Sequence, residues 1–407
     1  MTGVTHAGSI RGVISGSGVA RTFALAMVGR LTYGLLPLCL LFTVRDSSGS
    51  FAVAAASSAA LGFATLAMPI QARFIDRFGQ RRVLPYYAAC YSALLIAMGL
   101  LAGGSHPDIL WVTTGLLLGL SAPALGPSMR AQWREIAAEG PQRRVAYSLD
   151  SIAEESLYLV GPLAASVVLA TGPARLGLFI AAGLIAVGTA GLVTSPYVPV
   201  PASDVSVPQT RGVSKGALRQ PRLRPLLVVM AMVGAAGAGC FVGVAAIADQ
   251  AGVPSAVGVI EAAMAVGAIV GGLTWARLRR DPPWTTALAL LLLSSAVAQA
   301  GAAIAAPSLV FVGVLLIPVG ALAAPVFVVA FTGADSLVAP EQRTEASTWV
   351  STALNGGNAL GTALAGLVLA LGAAAPFGFA ACLTMLATGT ALALGSRARD
   401  DSFTVQI

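Results

Sequence analysis

Charge is scarce in this sequence. Asp, Glu, Lys and Arg together make up 10% of its 407 residues, against roughly 25% in a soluble domain. A soluble chain of this length would not have enough polar surface to stay dissolved, so a water-soluble fold is not expected. Lysine is almost missing: Lys215 is the one cation of 24 that is not arginine. Histidine occurs twice, as His6 in the N-terminal stretch and His106 between two apolar runs. Cysteine occurs four times, as Cys39, Cys90, Cys240 and Cys382, each inside an apolar run and none in a Cys-x-x-Cys spacing. That pattern argues for buried free thiols and against a metal centre or a redox pair. There is no phosphate-binding P-loop and no hydrolase triad. The expectation is a protein that is not an enzyme, with no cofactor and no metal.

What is abundant is apolar length. Hydrophobic residues make up 57% of the chain, and mean hydropathy is +0.83. In hydrocarbon the backbone must satisfy its own hydrogen bonds, which leaves helices or closed barrels. The apolar runs reach about 20 residues or more, the length that crosses a bilayer as a helix. They lack the alternation of barrel strands. Twelve spans are expected, at roughly 22–43, 51–72, 83–103, 109–129, 146–170, 175–195, 225–247, 254–275, 284–305, 308–333, 345–372 and 375–396. Residues 1–21 are polar and rich in Gly and Ser, and the run that follows holds Arg30 without a small-residue cleavage site. A cleaved signal peptide is therefore not expected.

The net charge of +7 would suit nucleic acid if the cations formed a groove. Instead they sit in the short segments between spans. With the N-terminus placed in the cytoplasm, 21 of the 24 cations fall on the cytoplasmic side, only Arg45 and Arg175 fall outside, and Arg30 lies within a span. This is the positive-inside pattern. It predicts a multi-pass protein of the cell membrane with both termini cytoplasmic and no nucleic-acid partner. The longest break, 196–224, is rich in proline and basic, and it separates six spans from six. The predicted organisation is an N-terminal tail (1–21), a six-helix bundle (22–195), a cytoplasmic linker (196–224), a second six-helix bundle (225–396) and a C-terminal tail (397–407). The halves echo each other at an offset of 200. Arg77 falls opposite Arg277, and Gly161 falls opposite Gly361. Parallel repeats are expected.

After span two the sequence reads Ala72-Arg73-Phe74-Ile75-Asp76-Arg77-Phe78-Gly79-Gln80-Arg81-Arg82. This stretch resembles the loop signature of the major facilitator superfamily, Gly-x-x-x-Asp-Arg-x-Gly-x-Arg-Arg. The match covers Asp76, Arg77, Gly79, Arg81 and Arg82, with Ala72 in place of the leading glycine. The resemblance implies an all-α membrane protein of twelve transmembrane helices in two six-helix bundles, working by alternating access. It also implies a conformational latch at those five residues, with Gly79 allowing a tight turn. The equivalent stretch in the second half, Ala276-Arg277-Leu278-Arg279-Arg280, keeps the charge and lacks the Asp and Gly. In span five, Gly161-Pro162 resembles, in short form, an element of the family's antiporters. That resemblance points to export, although helix packing explains the pair equally well.

Ionisable residues inside spans are costly, at least about 2.5 kcal/mol each at the bilayer centre, and so face cavities or partners. Arg30 lies eight residues into span one, or ~12 Å. Glu154 and Glu155 reach a comparable depth in span five. The expectation is that Arg30 pairs with one of them and the other carries a coupling proton. Glu155 is favoured for that role because Asn355 occupies its repeat position. A purely structural bridge is the alternative. Asp150, Glu154, Tyr158 and Gly161 share one helix face. Glu261, in span eight, is a further proton-site candidate. Tyr33, Tyr158, Asn355 and Asn358 are candidate substrate contacts.

The reading is a secondary transporter, most simply a proton-coupled exporter of a small drug-like or metabolic compound. Its expected partners are that substrate, protons and the lipid bilayer, and the expected state is a monomer. In the resembled family's exporters of cationic drugs an acid often lies where this sequence has Arg30, which speaks against cation export and allows an anionic or neutral substrate. A proton-coupled importer, and a membrane sensor or assembly factor that moves nothing, remain alternatives.

Overall fold

The computed structural model describes residues 13–14, 16–64, 67–137, 141–199, 219–277, 282–339 and 343–404. Within these, the side chains of 68, 69, 72, 73, 76, 141, 144, 148, 151, 155, 276, 343–345 and 397–404 lie outside the description. No strand occurs among the described residues. The helices are α1 (Val19–Ser48), α2 (Phe51–Ala64), α3 (Met68–Phe78), α4 (Gln80–Leu101), α5 (Asp108–Ser121), α6 (Leu125–Ile136), α7 (Pro141–Thr171) and α8 (Arg175–Val193). They continue with α9 (Leu223–Gln250), α10 (Ala256–Arg277), α11 (Trp284–Ala305), α12 (Leu309–Ser336), α13 (Arg343–Val368) and α14 (Ala375–Thr404).

Among the described residues eleven segments are long and apolar enough to cross a membrane, with α5 and α6 counting as one, and the shorter apolar α2 is a twelfth. The twelve-helix reading therefore stands, with helices that overrun the apolar runs by a few residues at most ends. Span four is not a single helix: it is divided at 122–124 into α5 and α6. The described helices of span two are α2 and the start of α3.

By their internal contacts the residues group into two compact units. One comprises Met1–Ser50 and Ala64–Ser206, the other Phe51–Phe63 and Val207–Ile407. Within the first, α1 packs on α7 and α8, and α8 packs on α4. Within the second, α9 packs on α13 and α14, while α11 packs on α14 and α12. The first, fifth and sixth spans of one unit thus repeat as the seventh, eleventh and twelfth of the other.

Glycine makes the corresponding crossings possible. A Cβ on Gly34 of α1 would fall 2.6 Å from the Leu157 carbonyl oxygen and 2.9 Å from Gly161 Cα of α7. In the second unit, Gly234 of α9 lies against the Leu354 carbonyl of α13, and Gly361 of α13 lies against Ala235. Close backbone approach is how helices associate where lipid supplies no hydrophobic drive. The Gly161/Gly361 echo, and a matching Gly34/Gly234 echo, have this packing cause.

Candidate functional site

The break in span four builds the site. Pro123 and Pro127 both lack an amide hydrogen, so the carbonyl of Pro123 cannot receive the usual bond from four residues ahead. The chain at Ala122 is extended before α6 begins at Leu125. The Tyr33 hydroxyl donates to the Pro123 carbonyl at 2.8 Å. Arg30 donates from Nη2 to the Gly126 carbonyl at 3.1 Å. On another side of the break, Gln71 donates to the Leu120 carbonyl at 2.7 Å. Non-helical backbone at membrane depth is tolerated only where such partners exist.

Arg30 carries its charge into this setting with its side chain 0% exposed. Its partner is Asp150, one turn before Glu154 on α7: Arg30 Nη1 and Asp150 Oδ1 are 2.9 Å apart, and Asp150 is 1% exposed. The indole N–H of Trp133 also points to Oδ1, at 3.4 Å. The other carboxylate oxygen faces Arg130, whose Nε lies 3.3 Å from Oδ2. Arg130 in turn pairs through Nη2 with Glu154. The result is a chain of alternating charge, Arg30–Asp150–Arg130–Glu154. It is sealed at Arg30 and Asp150 and open at Arg130 and Glu154, which are 48% and 24% exposed. Gly126 packs beside this chain: a Cβ there would be in ordinary contact, 3.6 Å from Glu154 Oε1 and 3.9 Å from the Arg30 guanidinium.

The expected pairing of Arg30 with a glutamate is thereby corrected. Arg30 takes Asp150, because the i, i+4 spacing that puts Asp150 and Glu154 on one face of α7 also puts Asp150 beside α1 and Glu154 beside α6. The Glu155 side chain lies outside the described residues. Sequence reasoning misses Arg130 and Trp133. Arg130 reads in sequence as a topology arginine beyond span four, but α6 continues to Ile136 and holds it on the helix, with Trp133 three residues on. The available signal is the pair of prolines at 123 and 127, which marks a break with a second helix after it.

Tyr33 stands beside this group, on the α5–α6 break that Arg30 also bonds. Glu261 is half-buried on α10 and makes no hydrogen bond or ion pair among the described residues. Asn355 and Asn358 are exposed on α13, and Tyr158 is exposed on α7. No group of three or more His, Cys, Asp or Glu suited to a metal occurs among the described residues.

The basic signature is not a loop. Residues 72–78 belong to α3, α4 starts at Gln80, and Gly79 alone makes the turn, at φ 84° and ψ 147°. That conformation is essentially reserved for glycine. The side chain of Asp76 lies outside the described residues. The Arg77 guanidinium sits 5.2 Å from the Phe78 ring centre, and Arg82 is exposed. Arg81 donates to the Ser195 carbonyl at 3.1 Å, just beyond the end of α8, where a cation also suits the helix dipole. Beside it, Gln132 of α6 donates to Gln80 at 3.1 Å and to the Leu192 carbonyl at 2.9 Å. This ties α6 to α4 and α8.

Comparison with known proteins gives consistent results. The sequence model described as Major Facilitator Superfamily matches residues 21–338. No curated protein sequence matches the chain. Among solved structures, a mutant of the nucleoside transporter NupG is similar at a TM-score of 0.70 and 15% identity, covering 92% of this chain and 97% of that one. A bacterial homologue of the iron transporter ferroportin, in an inward-facing state, is similar at 0.70 and 15%, covering 95% and 100%. The peptide transporter POT in complex with sulfate is similar at 0.65 and 17%, covering 94% of each chain. At these identities the likeness is one of fold.

Proposed function

The chain belongs to the major facilitator superfamily of membrane transporters, and we propose that it couples proton movement to the export of a small amphipathic organic compound. The observation that carries this reading is the graded charge chain of the first unit. Glu154 and Arg130 are the more exposed members, and they are bonded to each other. Protonation of Glu154 removes the charge that holds Arg130 and leaves Asp150 shared between two guanidiniums. A proton thus changes the bonding of a group tied directly to α1, α6 and α7. A coupled carrier needs such a link between proton occupancy and helix packing. Arg30 and Asp150 form the fixed end, and Glu155 and Glu261 are secondary coupling candidates.

With Glu154 ionised the chain has two cations and two anions, and an uncharged substrate is the simplest match to a pathway built of Ala, Gly, Val and Leu. The Gly161-Pro162 element supports export by exchange. The Arg130–Glu154 bond favours a second reading, in which an anion replaces protonated Glu154 beside Arg130. Proton and anion would then bind together and move in the same direction. The cytoplasmic placement of both termini, and the division into six-helix repeats at 22–195 and 225–396 with a linker at 196–224, rest on the arginine distribution and on the repeated helix contacts. The latch role of Asp76, Arg77, Gly79, Arg81 and Arg82 rests on their match to the family signature. Tyr158, Asn355 and Asn358 remain substrate-contact candidates because they are exposed.

The test is transport in proteoliposomes with an imposed pH gradient of either sign, screened over neutral and anionic compounds. Export coupling predicts accumulation when the gradient opposes the substrate's movement, and proton–anion symport predicts the reverse. If no gradient of either sign changes transport of any substrate the protein moves, proton coupling is wrong.

A further inference from the structure

The second unit holds a cavity that the charge chain does not involve. It lies where α9 and α11 begin and α12 finishes, against Leu394 and Gly395 of α14, and has a volume of about 410 Å³. Its lining includes Arg222, Trp284, Thr285 and Thr286, with Leu337 and Leu394 as an apolar ledge. Arg222 stands at the N-terminal cap of α9. Trp284 is the first residue of α11, and its indole lies against Gly333. The amides of Thr286 and Ala287 donate to the Pro283 carbonyl, those of Trp284 and Thr285 have no preceding helical turn to bond, and the helix dipole adds positive potential at the same point.

Thr285 shows that the cavity is built for a polar occupant. Elsewhere in these helices threonine hydroxyls donate to the carbonyl four residues back, as at Thr43, Thr332 and Thr388. Thr285 is the second residue of α11. It is 6% exposed, yet its hydroxyl has no hydrogen-bond partner among the described residues. Gly395, which also lines the cavity, keeps the space beside that hydroxyl open: a Cβ there would fall 2.8 Å from Thr285 Oγ1.

We propose that this cavity binds a phosphate group, held by the Arg222 guanidinium, the Thr285 hydroxyl and the N-terminus of α11. A guanidinium fork, a hydroxyl donor and a helix N-terminus together match a tetrahedral oxyanion. The arginine distribution assigns this end of the helices to the cytoplasmic face, where basic pockets between helices meet anionic headgroups. A tryptophan at the helix end suits the same depth. The phosphate arrives either on a membrane lipid, with its acyl chains over Leu337 and Leu394, or free in solution.

The experiment is thermal unfolding of the full-length protein in detergent, titrated with phosphatidylglycerol, with diacylglycerol and with inorganic phosphate. Wild type is compared with Arg222→Ala and Thr285→Val; the second variant keeps the shape and removes only the hydroxyl. Phosphatidylglycerol is expected to raise the unfolding temperature of wild type. The concentration for half the effect should rise about tenfold in each variant, the loss expected for a charge-assisted bond. Diacylglycerol, which lacks phosphate, is expected to act alike on all three proteins. Protection by inorganic phosphate that weakens in both variants supports the site with a soluble source, and protection by the lipid alone supports it with a membrane source. Identical titrations of wild type and both variants, with either phosphate probe, overturn the proposal.

Discussion

Arg30 and Asp150 are 120 residues apart in the chain and meet at 2.9 Å, both closed to solvent. The pair ties α1 to α7 at the level where α6 begins. Each partner is what makes the other tolerable in that position. A lone buried charge is strongly unfavourable, whereas a buried pair is near neutral against an apolar replacement.

Removing one partner should therefore be severe. Arg30→Ala and Asp150→Ala are each expected to destabilise the protein by about 3–5 kcal/mol. The double variant should be more stable than the sum of the singles implies. A double-mutant cycle on unfolding in detergent measures this, and strictly additive losses would show that the pair has no coupling energy.

Glu154 is the member of the charge chain assigned to protons. Glu154→Gln is expected to abolish accumulation driven by a pH gradient while leaving substrate exchange at equal pH. Full gradient-driven accumulation by this variant would remove Glu154 from the coupling step. Glu155→Gln, measured beside it, tells whether the neighbouring acid contributes.

Tyr33 donates to a carbonyl that Pro127 leaves without its usual helical bond. The Leu125 amide reaches the same oxygen at 2.8 Å, so the carbonyl keeps one partner when the hydroxyl is removed. Tyr33→Phe is accordingly expected to cost about 0.5–1.5 kcal/mol, the net worth of one hydrogen bond. Equilibrium unfolding checks it, and a loss beyond that range would mean the hydroxyl holds the break itself.

The α1–α7 crossing has no room for a methyl group. Gly34→Ala is expected to destabilise by about 1–3 kcal/mol, as overpacking does. Gly237→Ala, where a Cβ meets nothing within 4 Å, should leave the unfolding temperature unchanged or slightly raised. Equal behaviour of the two variants would show that the crossing is looser than its geometry.

Much of the fold is legible in the amino-acid sequence alone. Span count and class follow from hydropathy, because a chain in lipid must run apolar for the whole crossing. The Gly161/Gly361 echo is visible as a coincidence of letters, and its packing cause is not. The site is legible only in part. Arg30, Asp150 and Glu154 stand out as charges at depth. Arg130 does not, since an arginine beside a span end looks like any other topology arginine. The signature around Gly79 is recognisable by its residues and reads as a loop, because its helical continuation depends on α3 having α4 to pack against.

The sequence by itself determined the medium, the number of crossings and the family. Each of these depends on sums over many residues that no single contact can reverse. Only the tertiary structure decided which acid Arg30 holds and which acid is left open to solvent. Those outcomes turn on the rotation of α6 and α7 about their axes and on a helix break at two prolines. Both are settled by the packing of side chains far apart in the chain, which hydropathy and spacing do not report.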